Sequence, residues 1–172
     1  MHPIIALVGS SGSGKTTLME HVLRLMTEVR YVRSVTTRLQ RDKGDDFFYE
    51  LISWEDFLYR DLKNQMIQTA FYAGNMYGND RHGVEIVLST HTGITALTEN
   101  GVKNFRGAGY RVVAVRIVPE GHTPRDEKRL AEDKNREQSL VPDFTVINSF
   151  APGGLEKAVT ELVSLITNLL GS

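Results

Sequence analysis

Apolar positions along this chain follow two patterns. Some runs are continuous: Ile4-Ile5-Ala6-Leu7-Val8 and Arg111-Val112-Val113-Ala114-Val115-Arg116-Ile117-Val118 offer almost no polar face. Such runs are expected of strands buried on both faces of a parallel sheet. Tyr31–Val35, Val84–Leu88 and Phe144–Ile147 read as shorter strands. Other segments repeat at helical spacing. Thr17–Glu28 places Leu18, Val22, Leu25 and Met26 on one face. Leu155–Leu170 does the same with Leu155, Val159, Leu162, Val163, Ile166 and Leu170. Ile94–Phe105 reads as a helix broken by Gly107–Gly109. Strands alternating with helices predict an α/β fold, a three-layer α/β/α sandwich around a central parallel sheet. A ligand then belongs at the C-terminal ends of the strands.

Residues 34–80 interrupt the alternation. They are rich in aromatic and charged residues and carry Gly44, Gly74 and Gly78. Phe47–Ile52 and Met66–Tyr72 read as strands, and Ser53 reads as the N-cap of a helix with Glu55 and Asp56 in its first turn. The segment is taken as a small insertion on a single domain spanning 1–172.

At 172 residues the chain is long enough for one domain with a substantial core. The net charge of −1 supplies no global field toward nucleic acid or anionic lipid, so neither is expected as a partner. No apolar run approaches the about 20 residues of a membrane span. There is no cysteine, which excludes disulfides and thiolate metal sites. Met1-His2-Pro3 leads straight into the first strand, with no room for a signal peptide. The expected location is cytoplasmic.

Gly9-Ser10-Ser11-Gly12-Ser13-Gly14-Lys15-Thr16 matches G-x-x-x-x-G-K-[ST] without a mismatch, between a strand and a helix. Its glycines let backbone N–H groups wrap a phosphate, and the following helix adds its N-terminal partial charge. Lys15 is placed to reach the β- and γ-phosphates, and Thr16 to give Mg²⁺ a hydroxyl, with Thr17 beside it. The expected cofactor is Mg²⁺ with ATP. Downstream, Ser34-Val35-Thr36-Thr37-Arg38-Leu39-Gln40-Arg41 sets two arginines three apart among hydroxyls, a combination suited to a second phosphate.

These two stretches, with Asp46-Phe47-Phe48-Tyr49, Gly74-Asn75-Met76-Tyr77-Gly78, Arg129-Leu130-Ala131 and Val146-Ile147-Asn148, resemble the guanylate kinase family of nucleoside monophosphate kinases. The resemblance implies a phosphate-loop kinase with a nucleotide-binding insertion at 34–80 and a short lid at 119–129. It implies ATP-dependent transfer to a nucleoside monophosphate, GMP being the leading acceptor. The resemblance puts Ser34, Arg38, Arg41 and Tyr77 on acceptor-binding positions and a phosphate-contacting tyrosine on Phe47 or Tyr49, of which only Tyr49 can donate a hydrogen bond; Arg129 falls on a lid-side arginine, with Arg125 the candidate for the other.

Two departures concern the base. A family carboxylate that reads guanine falls on Gln68, and an acidic pair after the next strand falls on Leu88 and Thr90. Gln68 and Thr90, with Asn79 nearby, are neutral acceptors for guanine N1–H and N2–H₂, weaker than carboxylates. The alternatives are a kinase of another phosphate ester, such as ribose 1,5-bisphosphate, and a guanylate-kinase-like interaction module without catalysis.

Overall fold

The computed structural model describes residues 1–40, 43–121 and 140–171. β1 (Ile4–Val8) is the middle strand of a five-stranded sheet. Its companions are β2 (Val29–Tyr31), β7 (Thr92–Ala96), β8 (Val112–Glu120) and β9 (Phe144–Ser149), in the order β2-β7-β1-β8-β9, all parallel. Alternate side chains of β1 enter opposite cores. Ile5 and Leu7 pack with Leu18 and Val22 of α1 (Lys15–Leu25) and Leu162 and Ile166 of α6 (Gly154–Leu170). Ile4, Ala6 and Val8 pack with Val84 and Leu88 of α4 (Arg81–Thr90) and Val102 and Phe105 of α5 (Glu99–Gly107). Both faces being buried is why the strand carries no polar alternation.

Residues Ser34 to Asp80 build a second sheet, in the order β4-β3-β6-β5. Its strands are β3 (Ser34–Thr36), β4 (Tyr49–Leu51), β5 (Met66–Tyr72) and β6 (Asn75–Asp80). β3 runs parallel to β4 and antiparallel to β6, and β5 runs antiparallel to β6. Two helices accompany it, the single turn α2 (Asp45–Phe48) and α3 (Trp54–Leu62). Ser53 caps α3 by accepting from the Asp56 N–H at 3.0 Å. Val35, Phe57 and Met66 form its own small core.

Four sequence expectations are corrected. Val84–Leu88 is helical: Asp80 Oδ2 accepts from the Gly83 N–H at 3.0 Å, and Val84 and Leu88 are buried while Ile86 is exposed. A short apolar run satisfies either period, and the cap decides it. Ile94–Phe105 divides into β7 and α5, with Thr98 capping α5 by accepting from Gly101 N–H at 3.1 Å. Tyr31–Val35 divides between the two sheets, because β2 pairs with β7 and β3 with β4 and β6. Phe47–Ile52 is strand only over β4, its first residues closing α2. Of the lid range 119–129, Pro119 and Glu120 end β8, Gly121 follows, and the rest lies outside the described residues. No helix among the described residues is long and apolar enough to cross a membrane.

If Asp80 is the cap of α4, Asp80→Ala lowers unfolding stability by about 1 kcal/mol in urea titrations. A midpoint identical to that of the parent protein would contradict the cap.

Candidate active site

β1 ends at Val8, and the chain turns at once into the glycine-rich loop at the C-terminal edge of the parallel sheet. Gly9 crosses so close to β8 that a Cβ there would lie 2.5 Å from the Ile117 carbonyl oxygen. Gly14 has φ +89°, and a Cβ on it would meet Asn148 Nδ2. Neither position has room for a side chain. From there α1 begins at Lys15, with Thr16 and Thr17 exposed in its first turn. The free N–H groups of that turn and the helix dipole make it an anion site.

Lys15 folds back over the loop. Its ammonium donates to the carbonyl oxygens of Gly9 at 2.6 Å and Ser10 at 2.7 Å, and to Ser13 Oγ at 3.4 Å. The charge is therefore held over the hollow that Gly9, Ser10, Ser11, Gly12, Ser13 and Gly14 enclose. Ser13 is fully buried. From β9, Asn148 donates through Nδ2 to the Ser13 carbonyl at 2.9 Å across the sheet. The sequence marked Asn148 only as part of a matching stretch. Its readable signal is a polar residue directly after the apolar pair Val146-Ile147, at the end of a strand beside the loop. Next to it, Gly14, Thr17, Asn148 to Ala151, Leu155 and Glu156 line a cavity of about 210 Å³.

The second cluster sits on β3, β4 and β6. Thr36 Oγ1 donates to the Met76 carbonyl at 2.8 Å and accepts from the Arg38 N–H, while Thr37 Oγ1 accepts from the Met76 N–H at 2.9 Å. The paired threonines thus lash the loop after β3 to β6 and fix where Arg38 starts. The Arg38 guanidinium is buried, pairs with Asp45 Oδ1 at 2.6 Å, and lies 4.5 Å over the Tyr49 ring. Tyr49 meets Tyr77 edge to face at 6.3 Å. Arg38, from the loop after β3, Tyr49 of β4 and Tyr77 of β6 lie in one cluster. Asp45 was not anticipated, and nothing in a charge-rich loop singles it out. Arg41, Arg125 and Arg129 lie outside the described residues.

Gln68 and Asn79 meet across β5 and β6. Gln68 Nε2 donates to Asn79 Oδ1 at 2.7 Å, and the fully buried Asn79 approaches Ser34 Oγ and the Arg33 carbonyl at 3.4 Å through Nδ2. Thr90 does not join them. It ends α4, exposed, with His91 Nδ1 at 2.8 Å, at the edge of the sheet where β1 and β7 begin. Leu88 lies in the core beneath the same helix. The expectation for these two positions followed from reading α4 as a strand. The strand that occupies that place is β7, and Leu97, Thr98 and Glu99 follow it. Glu99 is buried, accepting from Arg116 Nη2 at 3.0 Å and from the Leu140 N–H at 2.9 Å. Arg116, a charge inside an apolar strand, was the sequence signal for that pair. Tyr31 joins the two sheets: it stacks on Phe47, meets Phe48 edge to face, and burial pushes its phenol up, so it stays protonated.

A family model described as guanylate kinase matches residues 1–151. A guanylate kinase of Desulfitobacterium hafniense is 37% identical over 94% of this chain and 89% of its own length. One from Neisseria gonorrhoeae is 27% identical over 95% and 86%. The solved guanylate kinase of Anaplasma phagocytophilum superposes with a TM-score of 0.71 over 98% of this chain and 84% of that one, at 21% identity, a likeness of fold.

Asn148→Asp puts a carboxylate against the Ser13 carbonyl and removes the donor. Orphaning that acceptor costs about 1–3 kcal/mol, so the Kd for inorganic tripolyphosphate rises about tenfold or more, read by calorimetry. An unchanged Kd would mean that Asn148 does not hold the loop.

Proposed function

The chain belongs to the guanylate kinase family and is a nucleoside monophosphate kinase, and from that premise we propose that it transfers the γ-phosphoryl of ATP to GMP, giving ADP and GDP. The observation that carries the proposal is the pairing of a complete phosphate loop with a second, separately braced phosphate grip. Transfer between two phosphates needs little from the protein beyond holding them in line and neutralising charge.

The glycine loop and the first turn of α1 hold the donor phosphates. Lys15 leaves its carbonyl partners for the β- and γ-oxygens, exchanging neutral hydrogen bonds for charge-assisted ones. The cavity beside Gly14 and Asn148 is of a size and position to take the donor nucleoside. Arg38, with the Tyr49 and Tyr77 hydroxyls, grips the acceptor phosphate. Asp45 holds the guanidinium ready, at the cost of competing with the phosphate for it. Arg41 is proposed as a second acceptor cation, and Arg125 and Arg129 as cations toward the transferring group.

Mg²⁺ is proposed to enter with the nucleotide. The exposed Thr16 hydroxyl beside Lys15 is a hard oxygen donor that fits it. Among the described residues no group of three His, Cys, Asp or Glu side chains is arranged to hold a metal. Thr16 with nucleotide oxygens and waters therefore suits an ion that favours phosphates over a protein cage. When bound, it neutralises charge developing on the transferring group. A cytoplasmic location is proposed, in keeping with a reaction fed by ATP. An intact loop argues against an interaction module, since a module has no use for Lys15.

Coupled measurement of ADP release tests the proposal. GMP supports turnover and ribose 1,5-bisphosphate does not; the reverse would make the chain a sugar-phosphate kinase. Lys15→Ala retains the fold by circular dichroism and loses about 10²-fold or more in kcat, the usual scale for one preorganised donor to a transition-state oxygen. Near-parental turnover would sink the kinase reading.

Arg38→Lys keeps a charge opposite Asp45 but loses the planar fork. Its acceptor KM rises about tenfold, one charged hydrogen bond of about 1.5 kcal/mol, while the KM for ATP moves less than about threefold. The opposite split would move Arg38 to the donor side.

A further inference from the structure

Taking the monophosphate-kinase reading as given, we infer that the acceptor site selects its substrate by the phosphate and tolerates the base, so that AMP and IMP are phosphorylated as well as GMP. The base side of the site is built from neutral amides and hydroxyls that already bond to one another. Gln68 donates to Asn79 at 2.7 Å, and Asn79, with no exposed surface, reaches Ser34 Oγ and the Arg33 carbonyl. Gln68 is also wedged against α5: a Cβ on Gly101 would lie 2.7 Å from its Oε1 and 3.2 Å from its Nε2. The side chain expected to read a base thus joins β5 to β6 and packs on the first turn of α5. After β7, Thr98 Oγ1 is occupied in capping α5, and Glu99 is occupied by Arg116 and Leu140. Among the described residues of this wall, the one carboxylate is committed to an ion pair.

Selectivity follows from what a wrong substrate leaves unpaired. A site whose polar groups wait for a partner rejects an analogue lacking that partner by about 10⁴–10⁵, because buried groups are orphaned. Guanine brings N1–H and N2–H₂ donors; adenine N1 has no hydrogen, and hypoxanthine has N1–H but no 2-amino group. In this wall Gln68 Nε2, Asn79 and Ser34 are linked before any base arrives, and Gln68 Oε1 belongs to a half-buried residue rather than to a sealed pocket. A base without guanine's donors therefore orphans no buried charge and leaves only the neutral amide oxygen of the half-buried Gln68 without a base partner. What remains is shape, worth about 10–200-fold. The phosphate grip differs, because Arg38 carries a charge and meets the same phosphate whatever base is attached.

The test is steady-state kcat/KM for GMP, IMP and AMP with ATP, in the parent protein and in Gln68→Glu and Gln68→Ala. The expected GMP to AMP ratio in the parent is below about a thousandfold, between the two regimes. Gln68→Glu removes the donor to Asn79 Oδ1 and leaves a carboxylate that guanine's N1–H and N2–H₂ can satisfy and adenine's N1 cannot, so the ratio widens at least tenfold, chiefly by loss of AMP. Gln68→Ala moves the ratio less than threefold, whatever it does to absolute rates. A parent ratio above a thousandfold overturns the inference, as does a collapse of the ratio in Gln68→Ala, which would make Gln68 a base reader. The parent ratio decides even if neither variant folds. No ADP release with any of the three monophosphates, while ribose 1,5-bisphosphate is turned over, overturns the nucleotide reading and the inference with it.

Discussion

A phosphate cradle made of main-chain N–H groups works only if the main chain cannot move, and most of this core serves that requirement. The loop has no side chains of its own to anchor it at Gly9, Gly12 and Gly14, so rigidity comes from outside. β1 supplies it from below, buried on both faces and flanked by β7 and β8. β8 supplies it at the start of the loop, where Gly9 passes over the Ile117 carbonyl. β9 supplies it at the end, through Asn148 on Ser13. The close contacts that exclude a Cβ at Gly9 and Gly14 are therefore the same contacts that hold the loop. Glycine serves there for approach as much as for backbone freedom.

The second sheet solves a different problem, holding a buried guanidinium in place. A buried charge without a partner costs several kcal/mol, so Arg38 needs one before any acceptor binds. Asp45, from the single turn α2, provides it, and the Tyr49 ring provides a face for the cation. Such a pair both protects and competes. On the acceptor-binding role proposed for Arg38, a phosphate has to displace or share that carboxylate. The sheet joins the core by two short crossings: Val32 and Arg33 lie between β2 and β3, and Asp80 both ends β6 and caps α4. Tyr31, clustered with Phe47 and Phe48, stiffens the first crossing. Gln68 on Gly101 adds a third point of contact.

How much of this was legible depended on whether the information was local. The phosphate loop was, because strand, glycines, lysine and helix are contiguous. The long strands and the two long amphipathic helices were as well, since each carries enough residues to show its period. Val84–Leu88 and Ile94–Leu97 were not. Four or five apolar residues fit either period, and what separated them were caps, Asp80 and Thr98, whose role is visible only once the chain is folded. That local ambiguity then moved the expected acidic pair onto Leu88 and Thr90, at the wrong end of the sheet. Misassigning one element displaced part of the site.

The partners that matter most to the chemistry were the least legible, for a physical reason. Asn148 reaches Ser13 across 135 positions, and Glu99 reaches Leu140 across 41. Their meaning lies in pairing, and one sequence records residues without recording pairs. Arg116 is the instructive case. A charge within Val112–Val118 is costly on a buried face unless something meets it, so its presence alone demanded a carboxylate nearby. Glu99 is that carboxylate, and its other oxygen accepts from the Leu140 N–H. A single charge set in an apolar strand thus points to a pair, and that pair ties the segment after β7 to β8.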